Sequence, residues 1–257
     1  MPRPRGPHDI LDRPSTRRRF RGDFGTGKTR ALLTIGSLCY KPFFASGAST
    51  VSPIFHIQDA FQGTLILDEA DFRISDATAQ LAKVLNNGTT RGMPVLRTMA
   101  NRNRELNPQA FRVFGPKIIG MREHFPDLSL ESRFLSTETN GRSVRSDVPI
   151  HLPESFRREA RDIRSAILAW RFRSRFSIGP DPSRAARGVA PRYRHTSLAL
   201  LSLVDDAELW DLIGRELADE FFKSAPTPSK PQSSATHCSC DDAPQTPRGV
   251  VHCTRVT

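Results

Sequence analysis

Cysteine is scarce, with four residues in a chain of 257. That is too few for a disulfide scaffold, and a reducing cytoplasm is the expected setting. No run of about 18 apolar residues occurs, so no membrane span is expected. The amino-terminal stretch is rich in arginine but has no apolar core segment, which excludes a secretory signal. Tryptophan occurs twice, at Trp170 and Trp210, each at helical spacing within apolar positions. Both read as core anchors and not as base-stacking platforms. Carboxylates are outnumbered: 27 Asp and Glu face 38 Lys and Arg, for a formal charge of +11. A pI near 10.3 favours polyanionic partners, with nucleic acid first.

What remains suffices for a folded core. Apolar residues make up 37% of the chain and the mean hydropathy is −0.43. The length accommodates one large domain, or a medium one with a smaller companion. Residues 1–21 hold seven arginines and four prolines and read as a basic disordered arm. Residues 22–153 contain the glycine turns and apolar strands of a core. Residues 154–222 have helical periodicity, and 223–257 are an aperiodic Ser/Thr/Pro tail.

Gly22-Asp23-Phe24-Gly25-Thr26-Gly27-Lys28-Thr29 satisfies the phosphate-loop pattern. Glycines let the backbone curl and aim its N–H groups at phosphate oxygens. Lys28 is positioned to reach the β- and γ-phosphates, and the Thr29 hydroxyl to ligate Mg²⁺. A helix beginning near Lys28, with Ala31, Leu32, Leu33 and Ile35 inward, adds its positive end. Such a loop should follow a buried strand. Here it follows Arg17-Arg18-Arg19-Phe20-Arg21, which is too charged for the middle of a parallel sheet. Either that run enters the sheet at high cost or the first strand is missing, as in a truncated or frame-altered chain.

Thr64-Leu65-Ile66-Leu67 reads as a buried strand that ends on Asp68-Glu69-Ala70-Asp71. Asp68, at the carboxyl end where α/β ligands bind, would hold Mg²⁺ directly or through water. Glu69 would polarise the attacking water, and Asp71 is a structural or relay carboxylate. The two motifs lie about forty residues apart in the expected order. Together they argue for hydrolysis of ATP or GTP.

Further along, Ser52 and Pro53 start a helix with Ile54, Ile57 and Phe61 inward, and Ser75 caps another. Residues 94–99 and 110–114 read as a β-hairpin whose tip carries Arg102 and Arg104. That tip is a candidate contact for a nucleic-acid backbone, the alternative being an ordinary exposed loop. Lys117–Met121 is another buried strand, and Arg122 after it is the nearest candidate for a γ-phosphate sensor. Arg133 is a finger toward a neighbouring subunit's nucleotide or a surface ion-pair arginine. Phe156, Ala160, Ile163, Ile167 and Trp170 form a helical stripe, as do Leu209, Ile213, Leu217 and Phe221. His237, Cys238, Cys240, His252 and Cys253 make a poor zinc set, because one residue between Cys238 and Cys240 is tighter than structural zinc sites use. Cys39 reads as a small core residue.

The stretches GDFGTGKT (22–29), LILDEAD (65–71), NNGTTRGMPVLR (86–97) and LESRF (130–134) resemble the AAA+ class of P-loop ATPases. Within it they are most similar to ATPase modules of phage and mobile-element primase–helicases, over roughly residues 22–222. The resemblance implies a parallel sheet flanked by helices, with a small helical lid over residues 154–222. It implies ATP and Mg²⁺ as ligands, DNA as a partner, a homo-oligomeric ring and an association with a primase or other replication protein. It implies Asp68 and Glu69 as the metal-associated and catalytic acids, Arg133 as the intersubunit finger and Arg192 as the lid sensor. Arg122 departs from the Asn or Thr usual after that strand. The expected activity is Mg²⁺-dependent ATP hydrolysis coupled to DNA remodelling or unwinding in replication of a phage, plasmid or mobile element. The alternatives are a catalytically impaired nucleic-acid or partner-binding module, or a remnant of a longer ATPase.

Overall fold

The computed structural model describes residues 15–46, 51–70, 76–100, 106–125, 127–140, 147–174, 176–179 and 181–224. The arm before residue 15, Asp71, Ser75, Arg102, Arg104 and the cysteine-containing tail lie outside them.

Five parallel strands form the central sheet in the order β2-β3-β6-β1-β7. They are β1 (Arg17–Arg21), β2 (Pro42–Ser46), β3 (Thr64–Asp68), β6 (Lys117–Met121) and β7 (Leu135–Glu138). A separate antiparallel hairpin pairs β4 (Val95–Ala100) with β5 (Leu106–Phe111). The helices are α1 (Lys28–Leu38), α2 (Val51–Phe61), α3 (Asp76–Asn87), α4 (Leu128–Glu131), α5 (Glu154–Ser174), α6 (Pro191–Leu201) and α7 (Ala207–Ser224). Among the described residues, no helix is long and apolar enough to cross a membrane.

The sheet's two faces follow from strand alternation. Ile66, Ile118 and Phe20 pack against Leu32, Ala31 and Ile35 of α1. Leu33, expected inward, is exposed. Leu65, Leu67, Ile119 and Met121 face the opposite way, toward Ile54 and Phe55 of α2, Val84 and Leu85 of α3, and Phe125 and Phe134. In α2, which begins earlier than Pro53, the inner face is Val51, Ile54, Phe55 and Gln58, and Phe61 at the helix end is exposed. Gly36 lets α1 approach the sheet closely, since a Cβ there would run into Ile66 and Phe44. The lid packs Tyr193, Leu201 and Leu217 against Leu135 of β7.

The basic run before the glycine loop is neither missing nor outside the sheet. Arg17–Arg21 is an inner strand, hydrogen-bonded to β6 on one side and β7 on the other. Its charges are handled one at a time. Arg19 is fully buried and makes a forked ion pair with Glu131, and it also donates to the Ser136 hydroxyl at 2.6 Å. Glu131 further accepts from His124 Nδ1 at 3.0 Å and from the Phe125 amide at 3.1 Å. Burial opposes ionisation of Glu131, but Arg19 and His124 outweigh it and hold the carboxyl below its ordinary 4.5. Arg18 turns to the other face and reaches Thr137 at 2.5 Å and Glu220 of α7 at 3.5 Å.

Arg17 is different. It is fully buried and, among the described residues, none of its guanidinium nitrogens has a hydrogen-bond partner. Its guanidinium stands over the Phe134 ring, 5.7 Å from the centroid. Burial, and then the charge of Arg133, push it down to about 9. Its register partner Lys117 is also buried, and donates to the carbonyls of Val113 at 2.8 Å and Gly115 at 3.0 Å. Burial and the charge of Arg17 push this ammonium well below its ordinary value.

Glu131→Ala strands the Arg19 charge and should cost about 3–5 kcal/mol, read as a lower urea midpoint. Because the Glu131 carboxyl is depressed in the fold, its contribution is full above the ordinary glutamate range and fades as pH falls through that range. The acid limb of the stability curve should therefore flatten in this variant. Arg17→Leu has the opposite sign. Removing an uncompensated charge should raise stability by about 1–4 kcal/mol.

Candidate functional site

The site forms at one edge of the sheet, where β1 and β3 end on either side of β6. β1 delivers the chain into the loop 22–27, and α1 then starts at Lys28. Gly25 and Gly27 take φ of 72° and 87°, a region that side-chain-bearing residues avoid. Gly27 caps α1 with no side-chain hydrogen bond, so the first amides of the helix are left to the cleft. Lys28 Nζ donates to the carbonyls of Gly22 and Asp23, both at 2.5 Å. It thereby ties the start of α1 back to the beginning of the loop.

β3 brings the acids. Thr29 Oγ1 donates to Asp68 Oδ2 at 2.7 Å, joining two segments 39 residues apart. The other Asp68 oxygen accepts the Glu69 amide at 3.0 Å. Glu69 holds φ of 54°, the left-handed region, which costs a non-glycine residue about 1–3 kcal/mol. Gly120 of β6 makes the approach feasible. A Cβ there would lie 2.9 Å from Asp68 Oδ1 and 2.8 Å from Leu32 Cδ1.

Phe24, Gly25, Thr26, Gly27, Lys28, Thr29, Asp68, Glu69, Met121 and Arg122 line one cleft of ≈ 830 Å³. The Arg122 guanidinium stands 4.5 Å from the centroid of the exposed Phe24 ring, so both flank the mouth. The fold is that of a P-loop NTPase core with a helical lid.

Arg133 and Arg192 are not among the residues lining this cleft. They meet elsewhere, at Ser129 of α4. Arg133 donates to the Ser129 carbonyl at 2.7 Å and to Asn86 Oδ1 at 2.9 Å, and Arg192 donates to the Ser129 hydroxyl at 3.2 Å. Burial, and then the Arg192 charge, lower the Arg133 pKa.

Two participants escaped the sequence reading. Asn140 Oδ1 accepts the Asp23 amide at 2.7 Å, and Thr139 Oγ1 lies 2.8 Å from the Thr26 hydroxyl. Thr139 in turn pairs with the Arg21 carbonyl at 2.8 Å. The end of β7 therefore buttresses the loop. Its only sequence signal was an unremarkable Thr-Asn pair more than a hundred residues downstream.

Among the described residues, no group of three or more His, Cys, Asp or Glu could hold a metal on its own. Thr29 and Asp68 still suit Mg²⁺. That ion takes one or two protein oxygens and completes its shell with phosphate and water.

No family model and no curated protein matches the chain. Two solved structures of JCV helicase are similar at 13% identity. One, with a bound acetamide compound, aligns over 84% of this chain and 52% of its own, with a TM-score of 0.29. The other aligns over 83% and 57%, with a TM-score of 0.31. The chain thus spans little more than half the length of the structures it matches.

Asn140→Ala removes the acceptor of the Asp23 amide while leaving the sheet untouched. A lost hydrogen bond of about 1 kcal/mol should speed exchange of that amide roughly fivefold in hydrogen-exchange mass spectrometry.

Proposed function

We propose that this chain binds ATP with Mg²⁺ in the cleft at residues 22–29 and hydrolyses it. The observation that carries the reading is the Thr29–Asp68 contact beside Lys28 and Glu69. A hydroxyl and a carboxylate from separate motifs meet where a glycine loop and an uncapped helix start leave amides for phosphate. Phe24, Gly25, Thr26 and Gly27 supply the backbone cradle, and Gly22 and Asp23, whose amides bond the Met121 carbonyl and Asn140, anchor its start. Lys28 leaves its loop carbonyls to pair with the β- and γ-phosphates. Thr29 and Asp68 hold the Mg²⁺, which when bound offsets the phosphate charge. Glu69 orients a water for attack on the γ-phosphorus and accepts its proton as the bond to the β-phosphate oxygen breaks. Arg122 swings from the Phe24 ring toward the γ-phosphate.

The same proposal extends to a ring of identical chains acting on DNA in replication of a phage, plasmid or mobile element, beside a primase or similar partner. Arg133 and Arg192 would then serve as the finger and the lid sensor. Their shared serine, away from the cleft of their own chain, suits Arg133 to a neighbour's nucleotide. The net charge of +11 and the exposed hairpin leading to Arg102 and Arg104 support contact with a phosphate backbone. A second reading, a binding module without turnover, is favoured by the unpartnered Arg17 in the strand that feeds the loop.

Phosphate release separates the two. Lys28→Ala should reduce turnover by about 10²–10³-fold, and Glu69→Gln should do the same while fluorescent ATP still binds. Equal background turnover in wild type and Lys28→Ala would leave only the binding module. Affinity for single- or double-stranded DNA should fall steeply with salt in filter binding. Salt-insensitive or absent affinity would remove the DNA part of the proposal.

A further inference from the structure

The stripe Phe156-Ala160-Ile163-Ile167-Trp170 is only partly used. Ala160 is buried against the body, where α5 crosses α1. From Arg161 to Arg173 every residue of α5 is exposed. Ile163 and Ile167 are each 48% exposed and Trp170 40%, so Trp170 is not the core anchor its spacing suggested. An isolated helical stretch of this length is marginal in water, and an amphipathic one is normally held by a partner along its apolar face. Arginines surround the stripe. The helix carries six of them, against Glu154, Glu159 and Asp162. A groove runs between Ile167, Leu168, Arg161 and Arg171 on one wall and the segment 38–42 on the other.

α7 has the complementary character. Trp210, Ile213, Leu217 and Phe221 face the lid core. The outer side exposes Leu209 at 48% and Leu212 at 50%, flanked by exposed Glu208, Asp211, Glu216 and Asp219. In a chain of net charge +11, this helix is an acidic exception, with five carboxylates against Arg215 and Lys223.

We propose that the exposed half of α5 in one copy receives the outer face of α7 from a second copy. Leucines meet the isoleucine–tryptophan stripe, and carboxylates meet arginines. The two faces are different, so the contact is head-to-tail. Each copy keeps one free face of each kind, which closes a ring or extends a filament. The proposal deepens the assembly part of the functional reading by naming its surfaces, and it does not depend on nucleotide. A screened attraction between exposed charges also makes it weaken with salt.

Sedimentation velocity of the full chain, without nucleotide, tests it. The wild type should associate with increasing concentration and less so at high salt. Ile167→Asp and Leu212→Asp should each weaken association at least about tenfold. Charge reversal decides the pairing. Arg161→Glu with Arg171→Glu, or Glu216→Lys with Asp219→Lys, should each give monomers with wild-type circular dichroism. Mixing the two reversed chains should restore assembly, because every α5–α7 junction between unlike chains is then of matched sign. Three outcomes overturn the proposal: a wild type monomeric throughout, assembly indifferent to both reversals, or a monomer that captures an added acidic amphipathic peptide in place of its own copy. Loss of ATP turnover in these experiments bears on the catalytic reading alone.

Discussion

The buried pairing of Arg19 with Glu131 is the constraint on which the rest of the molecule stands. β1 is the strand that launches the glycine loop, and it lies inside the sheet with neighbours on both sides. An arginine there is tolerable only with a counter-charge and satisfied hydrogen bonds. The short helix α4 supplies the counter-charge, because Glu131 at its end pairs with both terminal guanidinium nitrogens while accepting from His124 and the Phe125 amide, and Ser136 of β7 adds a further acceptor. The neighbouring Arg17 shows the cost of having no such partner. Two adjacent charges on one face of one strand thus mark the stabilised and the strained halves of the same element.

The site inherits its geometry from this strand. β1 and β3 flank β6, so the loop after Arg21 and the acids after Leu67 emerge at the same edge. Gly120, on the strand between them, leaves room for Asp68 to reach Thr29, since a Cβ there would crowd the Asp68 carboxylate. Thr139 and Asn140 then brace the loop from the far side through β7. Three separate strands therefore converge on a handful of hydrogen bonds, and a shift of β1 would misplace all of them.

The charge of the chain is unevenly spread. Basic residues concentrate on the first strand and on α5, whereas α7 is acidic with exposed leucines. The apolar period of α5 was real, but what it meant was decided by placement. Ala160 is buried where the helix meets α1 and Arg164 still donates to the Ser37 carbonyl at 2.7 Å, but Ile163, Ile167 and Trp170 keep much of their surface exposed.

The loop 22–29, the strand ending at Asp68 and the helices at 154–174 and 207–224 were all legible in the sequence. Glycine spacing, short apolar runs and a period near 3.6 are local properties of a chain. The sequence left two alternatives for Arg17–Arg21, a costly entry into the sheet or an absent first strand, and could not decide between them for the complementary reason. Local hydropathy registers the cost of burying Arg19, but not a carboxylate 112 residues away that offsets it. The contribution of Asn140 and the meeting of Arg133 with Arg192 at Ser129 were invisible on the same ground. The sequence alone determined which chemical groups exist and where the apolar strands and periodic helices lie. Tertiary structure decided which charges are paired, which apolar stripe is covered and which residues share a cleft, because those depend on distances between segments that local patterning does not encode.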